Sequence, residues 1–160
     1  MVTIGSALLR SVFRLLVVAL LLTLAPPTEA LALDARGGVR IRKDLQERVN
    51  TARQRHGLRP LVISWGVLDE ARGHSRTMQR RQGIFHDQAL RHELPPSTVA
   101  WGENVGRTTA SDAAQRLHYL LMRSPGHRAN ILGRDYNHMV VGIAKGGRYT
   151  YATQRFFDRR

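Results

Sequence analysis

The chain has 160 residues, carries 25 lysines and arginines against 12 acidic residues for a formal net charge of +13, and contains no cysteine. That excludes a disulfide framework, a thiol nucleophile and a lipid anchor on cysteine, so packing alone must hold the fold. The basic excess favours anionic envelope polymers or lipid head groups. The arginines are scattered, with Arg80-Arg81 and Arg159-Arg160 the only adjacent pairs. They are not interleaved with stacking aromatics, so no specific nucleic-acid partner is expected. An arginine bias in the coding genome accounts for the same excess without any partner.

At the N-terminus, Arg10 and Arg14 precede an apolar run from Leu15 to Ala25, which Pro26-Pro27 closes. Ala30-Leu31-Ala32 then offers a small-x-small cleavage site. This is the anatomy of a secretory signal peptide over residues 1–32, cleaved after Ala30 or Ala32. The run is too short for a transmembrane helix, so no membrane segment is expected once the leader is removed; an uncleaved anchor is the alternative. Residues 33–43 read as an extended, glycine-containing arm, and residues 44–158 as one domain large enough to stand without cross-links.

Asp44-Leu45-Gln46-Glu47 has the form of a capping box. Leu45, Val49, Ala52 and His56 follow on one helical face, so the spacing predicts a helix from Asp44 to His56, stopped by Gly57. Leu58 to Ile63 is a link around Pro60. Ser64 is placed to cap a second helix with Asp69 and Glu70 early and Arg80 and Arg81 late, an order that complements the helix dipole. Leu68, Ala71, Ser75 and Met78 mark its inner face and Gly83 its end. Gly73, which costs roughly 1 kcal/mol against alanine inside a helix, suggests close packing there.

From Gly83 to Thr109 no helical period is visible, and a connection that long is usually functional; Trp101 to Gly106 reads as a short strand. Ser111 is placed to cap a third helix carrying Ala113, Leu117, Leu120 and Leu121, which ends at Ser124-Pro125-Gly126. Met139 to Ala144 is apolar on both faces, as in a buried strand. Lys145-Gly146-Gly147-Arg148 is a hairpin turn, and Tyr149 to Phe156 returns as the partner. Helices followed by an antiparallel hairpin define an α+β fold with helices packed on a sheet.

Two histidines stand out. His127 follows the Pro125-Gly126 turn at the start of a short apolar run to Leu132, and His86 lies beside Asp87 in the irregular segment. An imidazole titrates near neutral pH, which makes both candidates for metal ligation or acid–base work. Taken singly, each reads as a structural histidine, and Glu103 as an ordinary acid. There is no Gly-x-Ser-x-Gly elbow.

The combination changes this. Val49-Asn50-x-x-Arg53 with Gly57-Leu58-x-Pro60-Leu61, Ala71-x-x-His74-Ser75-x-x-Met78, Phe85-His86, Gly102-Glu103-Asn104-Val105, the Ser124 to Leu132 stretch, Val141-Gly142 and Tyr151-Ala152-Thr153-Gln154 occur in order. Together they resemble the CAP superfamily (cysteine-rich secretory proteins, antigen 5 and pathogenesis-related 1) in its bacterial SCP-domain form, from Leu45 to Phe156. The resemblance implies a three-layer α-β-α sandwich with a central antiparallel sheet. It also implies a cleft with a His/Glu/Glu/His tetrad whose histidines hold a divalent metal such as zinc. His86 matches the first histidine, Glu103 the first glutamate, followed by Asn104, and His127 the second histidine; His74 reads as structural. The second glutamate has no counterpart, and its place falls near Ser124. Two histidines and one carboxylate leave water for a fourth zinc position.

Members of this family have been proposed as proteases, lipid or sterol carriers and signalling ligands. Three readings follow for a secreted or envelope-facing monomer. The first is a non-enzymatic module binding a metal or small ligand at His86 and His127, with Glu103, Asn104 and Ser124 as cleft support. The second is a metal-assisted hydrolase, with Glu103 the candidate catalytic residue. The third is a binder of envelope lipid or polyanion.

Overall fold

The computed structural model describes the backbone of residues 27–159 and the side chains of residues 36–159. Most of the expected leader therefore lies outside the described residues. The chain runs through α1 (Pro27–Arg55), β1 (Val62–Ile63), α2 (Leu68–Arg80), a 3-10 turn (Leu90–Glu93), β2 (Trp101–Thr108), α3 (Ala113–Arg123), α4 (Pro125–Ile131), β3 (His138–Gly146) and β4 (Tyr149–Phe157). Residues 37–160 form one compact unit.

The sheet has the order β1-β3-β4-β2. β3 and β4 form the expected hairpin, with Gly147 at φ +57° in its turn. β2 pairs antiparallel with β4, and β1 adds two residues parallel to β3. The three long strands thus form the expected antiparallel sheet, and the short edge strand makes it mixed.

Alternation along β3 separates two helical layers. Val140 packs with Val67 and Ala71 at the start of α2. A Cβ on Gly142 would lie 2.1 Å from the Ala71 carbonyl oxygen, so α2 rests directly on this strand. The opposite face turns Met139 toward Val49 of α1, Leu121 of α3 and Ile131 of α4, and Val141 toward Leu45 and Leu117. Helices on both faces give the three-layer sandwich expected.

Several boundaries differ from expectation. Residues 33–43 are helical rather than extended, and Asp44 lies inside α1, where its carboxylate pairs with Arg48 one turn on at 2.8 Å. Ile41 packs beside Leu45, so the buried helical face begins before the capping-box pattern. α2 starts at Leu68 without a side-chain cap. Ser64 instead extends the β1 pairing by donating its N–H to the Met139 carbonyl at 2.9 Å. Asp112, not Ser111, is the N-cap residue of α3, again without a side-chain bond. Gly73 marks no close contact: a Cβ there would meet nothing within 4 Å.

Candidate functional site

β2 is an edge strand, flanked by α3 and α4 on one face and by the segment after α2, at His86 and Asp87, on the other. Glu103 shares the α2 side of the sheet with Arg155, its partner in the β2–β4 register, while Asn104 faces the α4 side opposite Gln154. One strand thus serves both walls of a cleft.

The α4 wall is fixed by amides. Asn104 Nδ2 donates to the His127 carbonyl at 3.0 Å and to Gln154 Oε1 at 3.1 Å. Asn130 Nδ2 donates to Asn104 Oδ1 at 2.9 Å and to the Glu103 carbonyl at 3.1 Å. Gly102 is required beside them, since a Cβ would lie 2.5 Å from Asn130 Oδ1. Ser124 is the extended break between α3 and α4, and Pro125 opens α4, where its missing N–H costs nothing. His127 therefore sits one turn into a short helix held against the edge of the sheet.

The opposite wall is the segment after α2. His74 is buried, donates from Nε2 to the Phe85 carbonyl at 2.8 Å, and meets the Phe85 ring edge-on. That matches its structural reading. Glu103 Oε1 accepts from His86 Nδ1 at 3.0 Å and from the Asp87 backbone N–H at 2.9 Å. Under this segment the fully buried Arg155 faces Glu103 Oε2 at 3.7 Å and pairs with Asp87 and Glu93. This charged floor was not foreseen. Its signal was an arginine at an inward register position in an otherwise apolar and amide-bearing strand.

His86, Glu103, Ser124 and His127 line one open cleft of about 410 Å³, with Trp101, Leu90 and Gly126 among the other walls. Asn104 stands behind it. The His86 and His127 rings lie 6.3 Å apart with planes at 52°. The His86 side chain is 56% exposed, whereas that of Glu103 is 2% exposed. Burial, then the neighbouring His86, lower the His127 pKa, which favours a neutral imidazole. Trp101 is a cleft wall, with the Arg91 guanidinium 5.3 Å from its ring centre.

The geometry separates donors from supports. With Nδ1–H donated to Glu103, the His86 Nε2 lone pair is left for the cleft, the arrangement by which a carboxylate orients a ligating histidine. Glu103 Oε1 takes both hydrogen bonds, while Oε2 makes none and lies 3.7 Å from Arg155 Nε. Among the described residues no group of three or more histidine, aspartate or glutamate side chains is arranged to hold a metal. A divalent ion fits this donor set only through two imidazoles, its other positions falling to solvent or ligand.

A three-layer sandwich with two histidines and a glutamate gathered at the sheet edge is the CAP, or SCP, architecture. The chain belongs to the cysteine-rich secretory protein (CAP) family, whose profile matches residues 46–156. The Bacillus subtilis (strain 168) relative named "Uncharacterized protein YkwD" is 29% identical over 126 residues, 73% of this chain and 47% of its own length. An extracellular protein containing an SCP domain from Bacillus anthracis superposes with a TM-score of 0.64 at 23% identity, over 74% of this chain and 40% of that one. An outer surface protein from Borrelia burgdorferi gives 0.65 at 16% identity, over 74% and 92%. This chain spans less than half the length of the first two. No helix among the described residues is long and apolar enough to cross a membrane.

Proposed function

We propose that this chain is an exported CAP-domain binding module whose cleft takes a divalent metal such as zinc, or a small ligand, between His86 and His127. The observation that carries the reading is the Glu103–His86 hydrogen bond of 3.0 Å, which directs Nε2 toward the cleft shared with His127. When bound, a divalent ion supplies a Lewis-acid centre that polarises an oxygen ligand. Glu103 orients His86, Asn104 and Asn130 hold the helix bearing His127, and Trp101 offers an apolar wall to the ligand. Glu103 is buried with Oε1 taken by His86 and the Asp87 N–H and Oε2 3.7 Å from the Arg155 guanidinium, which favours this supporting role over that of a general base facing the cleft.

Export rests on the leader pattern before residue 33, and agrees with the extracellular and outer-surface descriptions of the two structural neighbours. Calorimetric titration of the purified chain with zinc tests the cleft. Binding weakened by His86→Ala and by His127→Ala supports it; equal affinity in the wild type and the double variant refutes it.

A further inference from the structure

A second cavity opens at the opposite edge of the sheet from the His86 cleft. It has a volume of about 600 Å³ and lies between α1 and β1, with Val39, Ile63 and Trp65 as apolar walls. That volume falls in the usual range for ligand pockets, roughly 300–1,000 Å³. Two of its lining residues present donors with no partner: Arg42 Nε and Gln46 Nε2 are both shielded from solvent and make no hydrogen bond. Gln46 as a whole is only 5% exposed. An unpaired buried donor is costly and calls for an acceptor.

The charge at the mouth points the same way, since Arg42 and Lys43 outweigh Glu47 among the lining residues. The Arg42 guanidinium lies 5.4 Å from the Trp65 ring centre. Burial, and then the positive charge of Arg72, lower its pKa, so an anion beside it relieves an existing strain on the charge. The backbone contributes as well. Val62 and Ser64 direct their N–H groups to Asn137 and Met139. Alternation along the strand turns the N–H and C=O of Ile63 away from β3, to the open edge of the sheet.

We propose that this groove captures the carboxy-terminus of an apolar peptide. The terminal carboxylate accepts from Arg42 Nε and Gln46 Nε2, apolar side chains fill the space between Val39, Ile63 and Trp65, and the peptide backbone pairs with the free edge at Ile63. Strand addition at an exposed edge supplies affinity, and carboxylate capture fixes the register. The proposal does not depend on the His86 cleft.

The test is fluorescence anisotropy of the full chain with a fluorescein-labelled hexapeptide ending in valine, leucine and valine, compared with the same peptide as its C-terminal amide and with dodecanoate as competitor. The free acid should bind roughly tenfold or more tightly than the amide, the difference expected for charge-assisted hydrogen bonds. Arg42→Gln and Gln46→Leu should each remove most of that preference. Gln46→Leu deletes an unpaired donor, so its melting temperature should not fall, which separates lost binding from lost folding. His86→Ala and His127→Ala should leave binding unchanged. Equal affinity for acid and amide, or no binding of either, overturns the proposal. So does binding of dodecanoate alone, which would make the groove a site for fatty amphiphiles.

Discussion

Arg155 and Glu103 face each other across the β2–β4 pair, with Nε 3.7 Å from Oε2 and both side chains out of solvent. The same guanidinium pairs with Asp87 and Glu93, so one cation beneath the cleft ties three carboxylates from two segments. Breaking a buried pair from one side leaves uncompensated charge and typically costs about 3–5 kcal/mol. Arg155→Met should therefore destabilise the domain by about that amount in denaturant melts. Arg155→Lys should recover only part, because a compact ammonium does not span three acceptors as the guanidinium fork does. A loss below about 1 kcal/mol for the methionine variant would mean that the charges do not support one another.

Two glycines predict opposite outcomes. Gly142 lies against Ala71, where a Cβ would fall 2.1 Å from backbone oxygen. Gly142→Ala must push α2 off the sheet, at about 1–3 kcal/mol or more. Gly73 lies in α2 with open space around it, so Gly73→Ala should stabilise by about 0.5–1 kcal/mol through helix propensity. Thermal melts of the pair check both signs.

Asn104 is the hinge between sheet and α4. Asn104→Ala leaves the His127 carbonyl, Gln154 Oε1 and the Asn130 amide short of a partner, each unsatisfied group costing about 1–3 kcal/mol where it stays buried. Amide hydrogen exchange should accelerate in α4 before it does in β3 and β4. Uniform acceleration across the sheet would contradict a local role for this amide.

His118 makes stability sensitive to acid. Burial, followed by the charges of Arg48 and Arg55, lowers its pKa below the ordinary 6.5, with Asp44 opposing. The unfolded chain therefore takes up this proton first. The contribution of His118 to stability is complete above pH 6.5 and falls as the pH drops through that value toward the lowered one. Denaturant melts at pH 7.5 and below 6 should show a smaller loss in His118→Gln than in the wild type; equal losses would remove His118 as a cause.

Most of the architecture was legible because the long elements obey their periods. The α2 face of Ala71, Ser75 and Met78, the α3 face of Ala113, Leu117 and Leu121, and the β3–β4 hairpin lie where their spacing placed them, whereas Leu120, read onto the same α3 face, is exposed. β1 was not legible: two residues show no alternation, and they pair with a strand far later in the chain. The start of α1 was misplaced because Asp44-x-x-Glu47 imitates a cap, although the buried face extends back to Ile41. At the site, His86, Glu103, Ser124 and His127 were readable through their motifs. Arg155 was not, since its role exists only once the β2–β4 register sets it opposite Glu103.

In the proposed site Glu103 fixes His86 so that it shares a ligand with His127. Long-range nitrogen–proton NMR of the seven histidines, with and without zinc, measures this most directly. His86 should carry its proton on Nδ1 in the free protein. On adding zinc, the ring nitrogens of His86 and His127 should shift together while those of the other five stay in place. A His86 protonated on Nε2, or zinc shifts confined to other histidines, would contradict this arrangement.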